Sequence, residues 1–146
     1  MAVNNIIKRI QNIMRQDAGI NGDAQRIEQM TWMFFLKVYD TQEETWEYKD
    51  ENYKSIIPED LRWRKWAVDE KDGEALTGEA LLSFVNEKLF PTLKNLPIDA
   101  NTPRAKSIVL ETFADLNQYM KNGTLLRQVV NIVNEIEFDD ADDRHT

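Results

Sequence analysis

Apolar residues along this chain recur at intervals of three and four, the spacing of one face of a helix, and no stretch alternates as a strand does. The pattern is densest after Gly22. Ile27, Met30, Trp32, Met33, Phe34, Phe35, Leu36, Val38 and Tyr39 follow with no glycine or proline among them. Ile27, Met30, Phe34 and Val38 fall on one face, and the other apolar residues cover most of the rest. A helix that is apolar nearly all round is usually buried on more than one side. The stretch therefore predicts a buried central helix. Asp23 is its expected N-cap, because a carboxylate there accepts from the free amides of the first turn. The helix is expected to run on towards Trp46 or Tyr48. The acidic residues of its tail, Asp40, Glu43, Glu44 and Glu47, read as a solvated face.

The flanking segments follow the same period. Asn4 to Arg15 or Gln16 predicts a first helix, with Ile6, Ile7, Ile10, Ile13 and Met14 inward, and Asp17–Gly22 reads as a turn. Ile56–Trp63 predicts a short helix with Pro58 at its first position. Thr77 or Gly78 starts another, with Leu81, Leu82, Val85 and Leu89 on one face, and Pro91 is expected to end it. Thr102-Pro103 begins a further helical stretch that carries Ile108, Val109, Phe113, Leu116, Tyr119 and Met120. Gly123 is placed for a left-handed C-cap and Thr124 for the N-cap of the last helix, whose inner stripe is Leu125, Leu126, Val129, Val130, Val133 and Ile136. The expectation is an all-α single domain of about five to seven helices around the central one. It spans residues 1–138, and 139–146 form an acidic linker start.

Composition bounds the function. A chain of 146 residues with 42% hydrophobic content makes one domain with a real core. Its formal net charge is -8, so nucleic acid is not the first partner that bulk charge suggests, although binding depends on where the cations sit. There is no cysteine, which excludes disulfides and thiol chemistry and suits the cytoplasm. No apolar run approaches membrane length. Neither a dinucleotide glycine motif nor a phosphate loop is present, and the one histidine, His145, stands next to the C-terminus. No catalytic, cofactor-binding or metal-binding residue is therefore assigned.

One segment carries chemistry. Arg62-Trp63-Arg64-Lys65-Trp66 gathers three cations and two indoles into five residues. Cations pair with phosphates, and flat aromatic rings stack on bases or sugars. Arg15 and Arg26 flank the turn before the central helix and extend a possible basic edge. A second reading stays open beside this one: Trp63 and Trp66 anchor the short helix to the core while Arg62 and Lys65 solvate.

Several blocks, taken in order, resemble a known family. Ile10–Gln29 followed by Trp32–Lys37 is similar to the N-terminal helical region of type I restriction–modification methyltransferase (M, HsdM-type) subunits. Ile57–Trp63, Leu89–Lys94 and Gly123–Val130 continue the resemblance, and Asp142–His145 looks like the junction into the methyltransferase domain. The resemblance covers almost the whole chain. It implies that the parent protein is an adenine-N6 DNA methyltransferase using S-adenosylmethionine. It also implies partners: double-stranded DNA, a specificity subunit, a second M subunit and, in some complexes, a restriction subunit. The family's catalytic and cofactor motifs belong to the following domain and do not occur here. What passes to this chain is a non-catalytic role, helping to clamp DNA and assemble the complex. Arg26, Arg62, Trp63, Arg64 and Lys65 are the expected DNA-contacting residues. The competing expectation is a protein docking domain that never touches DNA.

Overall fold

The computed structural model describes residues 2–69 and 75–137, with side chains from Asn5 onward. The expected linker start over 139–146 lies outside the described residues. Helices α1 (Ala2–Met14) and α2 (Asp23–Lys49) come first. A 3-10 turn, Glu59–Leu61, leads into the single turn α3 (Trp63–Trp66). Helices α4 (Gly78–Ser83) and α5 (Phe90–Lys94) are joined by a π-helical stretch, Phe84–Leu89, into one continuous rod. Helices α6 (Arg104–Ala114) and α7 (Gly123–Val133) complete the domain. No strand occurs among the described residues, so the all-α class expected from the spacing is the class observed.

Helix α7 packs against α1, α2 and α4, and α5 packs against α6. Trp32, Met33 and Leu36 of α2 meet Val129, Val130 and Val133 of α7 in a core that water does not reach. An aromatic chain ties in the other helices. Trp32 stands edge-on to Phe90 at 5.0 Å, and Phe90 to Phe113 at 5.2 Å. Full burial of each such side chain contributes roughly 1.5–3 kcal/mol.

The central helix is buried as expected, and the fold decides which of its apolar faces turns inward. Its inner stripe is Gln29, Met30, Trp32, Met33, Leu36, Tyr39, Asp40 and Glu43. Of the face read from spacing only Met30 is buried, and Ile27 and Val38 are 56% and 41% exposed. Gly22, at φ 104, is the N-cap of α2; Asp23 begins the helix itself and pairs with Arg26. Pro91 does not end its helix. The Phe90 amide donates to the Val85 carbonyl, an i to i+5 bond that widens the preceding turn. That register shift accommodates a ring that would otherwise strike the carbonyl four residues back.

Other departures come from polar side chains that bond backbone at loops and helix ends. The stretch carrying Leu116, Tyr119 and Met120 is not helical, since α6 stops at Ala114. Lys94 Nζ donates to the carbonyls of Phe113 (2.7 Å), Ala114 (3.2 Å) and Leu116 (2.7 Å), capping the end of α6. Buried Gln29 then donates to the Asn117 carbonyl and accepts from the Tyr119 amide, which holds that backbone against α2. Buried Asp17 accepts from the amides of Gly19, Lys121 and Asn122. Asn122, and not Thr124, caps α7, its side chain accepting from the Leu125 amide at 3.0 Å.

Gly123 is the first residue of α7 rather than a left-handed cap. A Cβ there would lie 1.9 Å from the Gly78 carbonyl oxygen, because the starts of α4 and α7 touch through backbone. Gly123→Ala is therefore expected to cost about 1–3 kcal/mol, with the neighbouring backbone forced apart. Urea unfolding monitored by circular dichroism checks this, and an unchanged midpoint would refute the close approach.

Candidate nucleic-acid interface

The basic segment is shaped by its local sequence. Pro58 precedes the 3-10 turn, and extended Arg62 (φ -66, ψ 142) separates that turn from α3. Trp63 and Trp66 then point inward, with rings 5.2 Å apart and edge to face. Trp63 is 2% exposed, and its Nε1 donates to Asn134 Oδ1 at 2.7 Å. Trp66 Nε1 donates to the Leu61 carbonyl at 3.0 Å. From α7, Arg127 donates to the carbonyls of Trp66, Ala67 and Leu76, and Asn134 Nδ2 donates to that of Ala67. Burial lowers the pKa of Arg127 and the charge of Asp69 opposes it. Both indoles are thus anchors of α3, as the second sequence reading had it.

The two arginines do not stand free either. Arg62, 6% exposed, pairs with Glu43 (3.4 Å), Glu47 and Glu59 (3.2 Å). Arg64 pairs through Nε with Asp40 at 2.9 Å and through Nη1 with Glu47 at 2.9 Å. The acidic tail of α2 was expected to be solvated, yet Asp40 and Glu43 are 8% and 0% exposed. Two features read separately from the sequence, an acidic run and a basic patch, are one neutralised cluster. The missed signal was spacing: Asp40, Glu43 and Glu47 stand at i, i+3 and i+7, one face of α2.

Electrostatics follow from the pairing. Burial pulls the Arg62 pKa down, but Glu47, Glu43 and Glu59 outweigh it and hold the guanidinium charged. For Glu47, burial raises the pKa, and hydrogen bonds from Arg62 and Arg64 overcome it to leave the carboxyl below its ordinary 4.5. The hydrogen bond from Arg62 likewise lowers Glu59. Tyr53 donates to Glu43 at 2.6 Å, and burial followed by that bond raises its pKa.

The remaining expected contacts are scattered. Lys65 is open, its side chain 51% exposed and only loosely paired with Glu59 at 3.4 Å. Arg26 lies on the first turn of α2, paired with Asp23 and 13% exposed. Fourteen residues of helix separate it from Asp40, roughly 20 Å along the axis, so the fold does not bring it to the Arg62–Lys65 segment. Beside Arg64 lies a cleft of about 420 Å³ lined by Lys37, Asp40, Thr41, Glu44, Arg64 and Glu137 among others. Its charges are mixed, which favours hydrogen bonding over attraction of a polyanion. Among the described residues no set of three or more acidic or histidine side chains is gathered to hold a metal. No described helix is long and apolar enough to cross a membrane.

Residues 3–133 match the model of the HsdM N-terminal domain. The chain belongs to that family. It is 52% identical over 147 residues to the type I restriction enzyme EcoEI methylase subunit of Escherichia coli, covering 99% of this chain and 29% of the relative. Its fold is similar to the crystal structure of a modification subunit, assigned to a type I restriction enzyme, from Vibrio vulnificus YJ016. The TM-score is 0.82 at 32% identity, over 97% of this chain and 32% of that one. The HsdM N-terminal domain thus spans about a third of the length of these relatives.

Removing Arg62 leaves Glu43 buried without its cation. Arg62→Ala is expected to destabilise the domain by about 3–5 kcal/mol, whereas Lys65→Ala, on the open surface, changes stability by less than about 0.5 kcal/mol. Chemical unfolding of the two variants compares them, and equal small effects would refute the network's role. A pH dependence follows as well. Glu47 and Glu59 have folded pKa values below 4.5, so the unfolded chain takes up protons first as pH falls. Their contribution is present above that value and lost progressively below it. Unfolding free energy should therefore decline below pH 4.5, and Glu47→Gln should flatten part of that decline.

Proposed function

We propose that this chain is the non-catalytic N-terminal module of the methyltransferase subunit of a type I restriction–modification system. It helps to hold duplex DNA and to assemble the subunit with the specificity subunit and a second methyltransferase subunit, in the cytoplasm. The observations that carry this reading are the match of residues 3–133 to the HsdM N-terminal domain and the match of nearly the whole chain to 29% of a named methylase subunit. Adenine-N6 methylation with S-adenosylmethionine is assigned to the rest of the parent protein. Base flipping costs a few kcal/mol, and phosphate contacts spread over several subunits can offset it.

Within this reading, the five expected DNA residues take different parts. Lys65 offers an open ammonium for a phosphate. Arg64 presents a partly exposed guanidinium beside it. Arg62 and Trp63 act as positioning residues that hold the segment in place, and Arg26 marks a separate point at the start of α2. The internal neutralisation of Arg62 and Arg64 favours a second reading, in which the module only docks proteins. Lys65→Glu in the assembled methyltransferase separates the two. The DNA reading expects weaker binding and a salt dependence reduced by about one ion. Unchanged affinity with normal assembly would leave docking as the function.

A further inference from the structure

Charge is unevenly distributed along this acidic chain. Residues 1–16 hold Lys8, Arg9 and Arg15 and no acid, although the net charge of the whole is -8. On α1 and just past its end, Asn5, Lys8, Arg9, Asn12, Arg15 and Gln16 are exposed, and Ile10 and Met14 are buried on the opposite side. The exposed face therefore carries cations and amides only. Glu135, just past α7, adjoins it and is held by both Nη atoms of Arg9, at 2.9 and 3.2 Å. Asp17, next to Gln16, is buried and turned to the backbone amides of Gly19, Lys121 and Asn122.

Arg15 differs from the other described arginines. Arg9, Arg26, Arg62, Arg64 and Arg104 each pair with a carboxylate, and Arg127 is buried against carbonyls. Arg15 is exposed, and its Nη1 donates to Asn12 Oδ1 at 3.0 Å. That bond steadies the guanidinium. Among the described residues Nε and Nη2 have no partner, and these two donors form the fork that grips an oxyanion. Lys8, one turn before Asn12, pairs with no described acid. Lys8 and Arg15 stand two turns apart on one line, roughly 10 Å along the axis, or about three phosphate spacings of a duplex. Lys121, also exposed, lays its stem over Gly19 in the turn that follows, where a Cβ would lie 2.9 Å from its Cγ.

We propose that this face of α1 is a further surface that takes the phosphate backbone of duplex DNA. Arg15 grips one phosphate by its fork, Lys8 attracts another as a point charge, and Asn12 is the positioning residue for Arg15. The proposal deepens the DNA-holding reading above and rests on it for the partner. A polyanion suits the face better than a protein does. Protein interfaces are built round an apolar core, and the exposed large apolar side chains, Ile27, Val38, Tyr48, Val68 and Leu76, all lie off α1. Amides such as Asn5 and Gln16 add donors for phosphate and sugar oxygens. Contacts of this kind carry no sequence information, so the face serves any DNA target. The chain's own net charge opposes the contact, so the chain alone binds weakly and only at low salt.

Nuclear magnetic resonance of the isotope-labelled chain, titrated with a short duplex at low salt, reads the surface directly. Shifts are expected at the Arg15 side-chain Nε–H and at the amides from Lys8 to Gln16. In the assembled methyltransferase, anisotropy against salt measures the strength. Lys8→Ala combined with Arg15→Ala should weaken binding at least about tenfold at low salt, with a salt slope shallower by about two, for every duplex sequence alike. Arg15→Lys should keep the slope, since the charge remains. Thermal melts should not move, because both side chains are exposed. Shifts confined to residues 62–65, or a double variant that binds as the unaltered enzyme does, would overturn the proposal. If Lys65→Glu then still weakens binding, the DNA reading stands without this surface; if neither variant does, both fall. A double variant that no longer assembles would overturn it in favour of an acidic protein partner.

Discussion

The ion network of Arg62 and Arg64 with Asp40, Glu43, Glu47 and Glu59 is the constraint on which the middle of the molecule depends. It fastens the connection after α2 back onto the helix that precedes it. With Arg62 held there, Trp63 and Trp66 enter the core, and α3 lies against α2 with Arg127 of α7 bonded to its end. The desolvation of two guanidinium groups and two nearly inaccessible carboxylates is costly, and only mutual pairing makes it tolerable. Such a cluster is intolerant of losing one partner, whatever its net contribution to stability. It also cancels the local positive field that the bare residue order suggests.

A second principle organises the rest. Several irregular connections are held by polar side chains that reach loop backbone from elsewhere in the fold. Asp17 fastens the segment before α7, Gln29 and Lys94 the segment after α6, and Arg127 the end of α3. Buried backbone amides and carbonyls must find partners, and helices satisfy only their own. Four helix-borne or turn-borne polar groups do this for connections that carry little regular structure.

The surface that remains has a particular character. Its most suggestive cations are internally paired, and the exposed large apolar side chains of α2 are Ile27, Val38 and Tyr48.

The residue pattern by itself determined the helical class, the extent of α2 and most of the inner stripe of α7, because apolar periodicity reflects burial directly. It also disclosed the family, through blocks whose order is specific. Caps and helix ends were legible only in part: Gly22 and Asn122 displaced the expected Asp23 and Thr124, and α6 ended early under Lys94 and Gln29. The candidate site was legible as residue types and not as an arrangement. Arg62 and Glu43 lie nineteen positions apart, and nothing local says that a cation and a carboxylate will be buried against one another. Which face of a helix apolar all round turns inward is likewise undecided locally, since α2 has several apolar faces and only the neighbours choose among them. Charge pairing and the choice of buried face are properties of elements meeting in space, and the tertiary structure alone decided both.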